Sequence, residues 1–153
     1  MSFLLTLEES KLETIISLLA KYEQKVQDAA PIFNLEGRRL EEIMRTLPGH
    51  QSSYDRAFQE MKALDEWLNN LKDKKTAKYW KKYVEGYPKA LSTRDVQAYI
   101  AGESEIVELN QIMIEVTLTK NHLQAIVDSL RQLAWMTGHI TKLRVVELGD
   151  VML

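Results

Sequence analysis

The sequence predicts an all-α protein, and three observations carry that prediction. Apolar residues recur at helical intervals along nearly the whole chain of 153 residues. Only six glycines and three prolines interrupt this pattern. The last third of the chain adds an apolar stripe of about forty residues, a length typical of coiled coils and helical assemblies. We therefore predict one helical domain over 1–153, with a long C-terminal helix or helix pair that self-associates.

Residues 1–50 are predicted to form N-terminal helices. Thr6 and Glu9 have the spacing of a capping box that opens the first helix. Pro31 is expected to lie at the end of this helix or beyond it. A second helix is expected to stop at Pro48-Gly49, because both residues disfavour a helix interior.

Residues 52–90 are predicted to contain a third helix that starts at one of the two serines at 52–53. Its apolar stripe consists of Phe58, Met61, Leu64, Leu68 and Leu71. The stripe fails at Lys72, although residues that favour helices continue to position 85. The helix either extends through the following basic segment or breaks at KDKKT. Gly86 and Pro88 are then expected to force a turn.

Residues 92–153 are predicted to hold a short helix followed by the long stripe. Ser92 or Thr93 is placed to cap the short helix, and Gly102 to end it. A continuous helix over the stripe would extend roughly 60 Å, more than the width of a compact domain of this size. Either the helix bends at Gly138 or other subunits cover its apolar face, and we favour the second. The predicted subunit interface consists of Ile106, Leu109, Met113, Val116, Leu123, Val127 and Leu130.

Composition restricts the class of protein. Hydrophobic residues make up 45% and charged residues 27% of the chain, as in soluble globular proteins. Cysteine is absent, which excludes disulfides and fits a reducing cytoplasm. No apolar stretch is long enough to cross a bilayer, and the opening MSFLLTLEESKLE turns acidic too soon for a signal peptide. We expect a cytoplasmic protein with no membrane partner.

Motifs of catalysis and metal binding are missing from the sequence. There is no glycine-rich phosphate loop and no serine on a nucleophile elbow. His50, His122 and His139 are far apart, and none has a second histidine or a carboxylate at a recognised metal spacing. We therefore predict no enzymatic activity, no cofactor and no metal site.

Charge is segregated along the chain. Residues 67–94 hold eight basic and two acidic side chains, whereas the net charge of the whole chain is −2. Screening confines the field of a charged patch to about 8 Å at physiological salt. A local basic block can therefore attract a polyanion even in an acidic protein.

Lysines and aromatic residues are interleaved in KDKKTAKYWKKYVEGYPK, residues 72–89. On a helix, Lys75, Lys78 and Lys82 share a face. Lysines that follow phosphates, beside aromatic rings that stack on bases, are typical of proteins that bind single-stranded nucleic acid. Alternatively, the aromatic residues pack in the core and the lysines only solvate the outer face; both interpretations stay open. The candidate binding residues are Lys74, Lys75, Lys78, Trp80, Lys81, Lys82 and Tyr83.

Two segments resemble the UvsY-type recombination mediators of T-even-like bacteriophages. KTAKYWKKYVEG, followed by KALSTRDV, is similar to a lysine- and tyrosine-rich segment of that family that ends in glycine. In GESEIVELNQIMIEVTLTKNHLQAIVDSLRQLAWMTGHITKLRVVELG, the residues Trp135, His139, Arg144 and Glu147 fall at the family's spacing. The resemblance covers about residues 70–149. The first half of the chain resembles the family only in being helical.

The resemblance implies a non-enzymatic protein that binds single-stranded DNA in the host cytoplasm. Such proteins help a phage RecA-like recombinase to displace the single-strand binding protein and to nucleate a filament. Their C-terminal helix builds a ring of about six or seven subunits, in which several weak patches bind one strand together. Lys78 corresponds to a DNA-contacting lysine of the family. Trp80 replaces the family's arginine, which leaves open whether Lys81 and Lys82 supply the charge while Trp80 stacks.

A purely structural helical oligomer, such as a virion or assembly component, is the alternative function. Its basic segment would contact acidic protein surfaces instead of DNA. Salt-sensitive binding to single strands is expected of a mediator and not of such a component.

Overall fold

The structure is a computed structural model that describes residues 12–151, with side chains described to residue 148. Within this range it contains only helices: α1 (Leu12–Gln27), α2 (Ala30–Phe33), α3 (Leu40–Gly86), α4 (Thr93–Gly102) and α5 (Ser104–Val151). The predicted all-α class is confirmed. α1 ends ahead of Pro31, as predicted, and the proposed capping box at Thr6 and Glu9 lies outside the described residues.

α3 is longer than predicted and corrects two expectations. It runs without interruption from Leu40 to Gly86, so Pro48-Gly49 does not stop a helix and no new helix begins at 52–53. A proline inside a helix removes one backbone hydrogen bond and costs about 3 kcal/mol. Leu47 and Tyr54, on either side of the interruption, are both buried in the core. Their packing offsets the local preference for a break.

α3 and α5 form an antiparallel hairpin roughly 70 Å long, from their lengths of 47 and 48 residues. At the open end, Thr141 of α5 contacts Met44 near the start of α3, with 3.5 Å between Oγ1 and Sδ. At the closed end, Lys75 of α3 pairs with Glu105 at the start of α5, with 2.7 Å between Nζ and Oε1. The long C-terminal helix is therefore confirmed, and it passes Gly138 without a break.

The apolar stripe of α5 is covered by the same chain from Ile106 to Leu133. Met61, Leu64 and Leu68 of α3 are completely buried and belong to the same core cluster as the stripe residues from Leu109 onward. Met113 packs against that cluster. The other predicted interface residues are buried within the chain: Ile106, Leu109, Val116, Leu123, Val127 and Leu130. The premise that one chain cannot cover the stripe is therefore wrong, and these residues form the fold core instead of a free surface.

α1 packs along the hairpin and closes the core. Leu19 and Tyr22 are buried, and the Tyr22 hydroxyl donates a hydrogen bond to the Glu60 carboxylate on α3. The Tyr54 hydroxyl donates to the backbone carbonyl of Lys25 at 3.0 Å. These bonds satisfy the polar ends of two tyrosines whose rings fill the core.

α4 forms the closed end of the hairpin. The predicted cap is confirmed, since the Ser92 side chain accepts a hydrogen bond from the backbone N–H of Asp95 at 3.2 Å. Val96 and Ile100 of α4 are buried together with Ile106, the first buried residue of α5. The turn expected at Gly86 and Pro88 separates α3 from α4. α4 is therefore packed back against the part of α3 that carries the basic segment.

Candidate nucleic-acid interface

The basic segment occupies the last turns of α3, next to α4 and the start of α5. The chain is helical throughout residues 72–86, so the break considered at KDKKT does not occur. Among the candidate residues, Lys75 and Tyr83 are half-buried. The exposed candidates are Lys74, Lys78, Trp80, Lys81 and Lys82.

Three exposed lysines form a strip along α3. Lys74, Lys78 and Lys81 are separated by four and three residues, which places them on one face of the helix. None of the three takes part in an ion pair among residues 12–148. This lysine strip therefore presents three exposed ammonium groups, of which Lys78 is near enough to Glu105 to contribute, after Lys75 and Tyr79, to lowering the pKa of that carboxyl.

Trp80 does not lie on the lysine strip. It follows Lys78 by two residues, so the two side chains project about 200° apart around the helix axis. Trp80 is exposed, but a strand segment bound along the strip would not contact the indole directly. Sequence analysis assigned Lys78 and Trp80 to one binding surface because they are close in the sequence, but the helix directs their side chains to different faces.

Glu105 holds two residues of the basic segment. Its carboxylate oxygens accept hydrogen bonds from Lys75 Nζ and from the Tyr79 hydroxyl, each at 2.7 Å. The bond from Lys75 is the main cause that lowers the pKa of Glu105, and Tyr79 acts in the same direction. The bond to this carboxylate raises the pKa of Tyr79 to about 12.

Glu103 makes the corresponding contacts one turn further along α3. It accepts a hydrogen bond from the Tyr83 hydroxyl, and its Oε1 lies 3.4 Å from Lys82 Nζ. The bond from Tyr83 is the largest cause that lowers the pKa of Glu103. The same bond raises the pKa of Tyr83 to about 12. Glu103 and Glu105 therefore bind the end of α3 to the junction of α4 and α5. We call these two residues the acid pair.

Tyr79 and Tyr83 pack against the small core of the closed end. Both contact the cluster that contains Val96 and Ile100. The Lys82 ammonium lies 5.4 Å from the centre of the Tyr79 ring and 5.3 Å from that of Tyr83. The packing interpretation thus describes these two tyrosines, while the lysine strip and Trp80 remain on the surface.

A cluster of tyrosines at the closed end includes a residue that sequence reasoning missed. Tyr99 of α4 stacks on Tyr83, with ring centres 5.6 Å apart, and on Tyr87, with ring centres 6.1 Å apart. Tyr83 and Tyr87 are 5.8 Å apart and tilted by 44°. Tyr99 lies on α4, after the turn, and it is close to the basic segment only because α4 packs back against α3.

Metal sites and membrane spans are not found within the described part of the chain. Among the side chains of residues 12–148, no three histidine or acidic groups come together in a way that suits a metal ion. In the same range no helix combines the length and apolar character needed to cross a membrane.

Comparisons of this chain with protein-family models, with curated proteins and with solved structures gave no match. The resemblance to phage recombination mediators therefore depends on the residues quoted above.

Proposed function

We propose that this protein is a non-enzymatic, single-stranded-DNA-binding recombination mediator. It would bind the strand through the lysine strip and help a RecA-like recombinase to replace a single-strand binding protein there. The observation that carries the proposal is the lysine strip: three exposed lysines on one helix face, in a chain of net charge −2. Lysines that contact phosphates without reading base edges bind single strands with little sequence preference.

Self-assembly would multiply this strip, and we place the assembly surface at the end of α5. Several apolar side chains there are exposed in the single chain: Trp135, Met136, Ile140, Leu143, Val145, Val146 and Leu148. An exposed apolar patch of this kind typically marks an interface. The expected arrangement is the ring of about six or seven subunits that the family resemblance implies, in which one strand contacts several subunits at once.

Fluorescence anisotropy with a labelled single-stranded oligonucleotide at two salt concentrations tests the proposed function. The logarithm of the binding constant should fall with the logarithm of salt concentration by about 0.7 for each phosphate contacted. A second oligonucleotide of unrelated sequence should bind equally well. Binding that is absent, or that ignores salt, would refute the proposal.

A structural helical oligomer is the second candidate, and the exposed apolar end of α5 favours it equally. Such a protein would assemble but would not bind single strands. The same anisotropy measurement, combined with sedimentation of the protein alone, distinguishes the two candidates.

A further inference from the structure

We infer that Tyr87 and Tyr99 form a base-stacking platform for single-stranded nucleic acid at the closed end of the hairpin. This inference rests on the proposed function, because it assigns the bases of the bound strand to these two rings. It differs from the sequence prediction, in which Trp80 and Tyr83 were the stacking residues.

The exposed rings of the tyrosine cluster are those of Tyr87 and Tyr99. Each side chain is 47% exposed. Their planes are inclined by only 22°, and the same angle relates Tyr99 to Tyr83. The three ring centres lie 5.6, 5.8 and 6.1 Å apart, so the rings pack side by side in a triangle in which Tyr83 contacts both exposed rings. A base that lies on the exposed face of Tyr87 or Tyr99 makes the contact by which single strands are bound without sequence selection.

Tyr83 itself is poorly placed to receive a base. It is half-buried, its hydroxyl is bonded to Glu103, and the Lys82 ammonium lies 5.3 Å from its ring centre. Tyr99 stacks on it as well. These contacts fix the Tyr83 ring as a support for the platform.

Tyr99 and the Tyr83 ring that it contacts are anchored to the fold. Tyr99 lies on α4, which is anchored by the buried side chains of Val96 and Ile100. The bond between Tyr83 and Glu103 ties the supporting ring to the junction that follows α4. A rigid aromatic surface loses little conformational entropy on binding, so more of the stacking energy contributes to affinity.

The charge around the platform favours a nucleic acid over an apolar peptide. Lys82 lies against the supporting ring, Lys89 lies in the turn, and Arg94 is in the first turn of α4. Glu85, Asp95 and Glu103 balance these three charges, but Lys89 and Arg94 form no ion pair among residues 12–148, so both remain available to a phosphate. A nucleotide combines a planar base with a phosphate. Its base can stack on an exposed tyrosine while its phosphate contacts a neighbouring cation.

The test compares two labelled single strands of equal length, one of thymidines and one with abasic sites in its central positions. Both carry the same phosphates, so the lysines contribute equally to their binding. The full-length protein should bind the thymidine strand about 5- to 150-fold more tightly for each base stacked. The Tyr87→Leu/Tyr99→Leu variant should lose this preference with an unchanged salt dependence. The Tyr87→Phe/Tyr99→Phe variant, which keeps both rings, should retain it.

Crosslinking of the unaltered protein gives a second measurement that requires no variant. Strands in which thymidine is replaced by 5-iododeoxyuridine crosslink on irradiation to aromatic side chains in contact with the base. Mass spectrometry should locate these crosslinks at Tyr87 or Tyr99.

Three results would overturn the inference. Equal affinity of the unaltered protein for both strands would exclude base stacking while leaving the proposed DNA binding intact. Crosslinks confined to Trp80, with a base preference lost in Trp80→Leu and kept in the double Leu variant, would place the platform elsewhere. Failure to bind either strand would refute the proposed function together with this inference.

Discussion

At the scale of single residues, Lys75 and Lys82 are the two lysines of the basic segment that form ion pairs within the described part of the chain. Each is paired with one carboxylate of the acid pair at the start of α5. A phosphate that approaches these lysines competes with Glu103 or Glu105. The sequence could not reveal this, because the carboxylates lie more than twenty residues further along the chain. Glu103 and Glu105 reach the lysines only because α4 packs back against α3.

Replacing Glu105 with Gln should strengthen the binding of single-stranded DNA. The change releases Lys75 from its ion pair, so the lysine becomes available to one more phosphate. The dependence of log K on log salt should steepen by about 0.7, which a salt titration by anisotropy measures.

The matched control is Glu108→Gln, an exposed carboxylate one turn along α5 that removes the same charge. If both variants bind DNA alike, the effect comes from net charge and the pairing of Lys75 with Glu105 plays no part.

The alkaline titration of Tyr79 tests the same junction from its phenol side. Its hydrogen bond to Glu105 raises the pKa of Tyr79 to about 12, above the value of about 10 for an unfolded chain. A raised pKa means that the neutral phenol stabilises the fold fully below about pH 10, and that this contribution is lost as pH rises through 12. The difference in near-ultraviolet titration between the wild type and Tyr79→Phe should have its midpoint near pH 12. A midpoint near 10 would show that the bond does not form.

At the scale of helices, α3 shows where local sequence signals are insufficient. The apolar periodicity predicted the α3 residues that face the core, such as Met61, Leu64 and Leu68, because a helix can pair with another only through such a stripe. The continuity of α3 through Pro48-Gly49 was not predictable in this way. The helix continues because residues on both sides of Pro48-Gly49 pack against α1 and α5. The helix propensities of Pro48 and Gly49 alone give no information about that packing.

Pro48→Ala should raise the free energy of unfolding by up to about 3 kcal/mol. Pro48 is exposed, so no core contact is lost, and alanine restores a backbone N–H that can donate to the Met44 carbonyl. Urea denaturation monitored by circular dichroism measures the change. A lower free energy of unfolding would mean that α3 is not continuous here.

Gly49→Ala provides the comparison for that experiment. A Cβ at Gly49 would meet no atom within 4 Å, so the gain should be the smaller helix-propensity difference of about 1 kcal/mol.

At the scale of the whole molecule, the hairpin of α3 and α5 determines which surfaces remain for partners. The length of the α5 stripe correctly indicated a long helix. Self-association was inferred from it only because α3 was predicted as shorter helices, none of which could cover the stripe. With α3 intact over 47 residues, the stripe is covered from within. One group of exposed apolar residues, from Trp135 to Leu148, lies at the opposite end of the hairpin from the lysine strip.

Replacing Leu143 and Val146 with Asp should break the assembly without unfolding the chain. Leu143 is 63% exposed in the single chain, and its neighbour Val146 is similarly accessible. Analytical ultracentrifugation should show a smaller species with unchanged helicity. Affinity for long single strands should fall much more than affinity for short ones, since fewer linked strips contact one strand.

Val127→Asp is the contrasting variant, because Val127 is only 4% exposed within the single chain. It should lose helicity and thermal stability, since it buries an unpaired charge. If the Leu143/Val146 variant stays assembled, the interface lies elsewhere.

The central claim is that the lysine strip binds single-stranded DNA, and one comparison of two triple variants tests it most directly. The first replaces Lys74, Lys78 and Lys81 with Ala. The second, of identical charge change, replaces with Ala three exposed cations outside the strip and outside the end of α5: Lys21, Arg56 and Lys62. Measured by anisotropy against one labelled strand over a range of salt concentrations, the first variant should bind weakly. Its salt dependence should be reduced by about 2, from three lost phosphate contacts, while the second behaves as the wild type. Equal affinity and equal salt dependence of the two variants would contradict the claim.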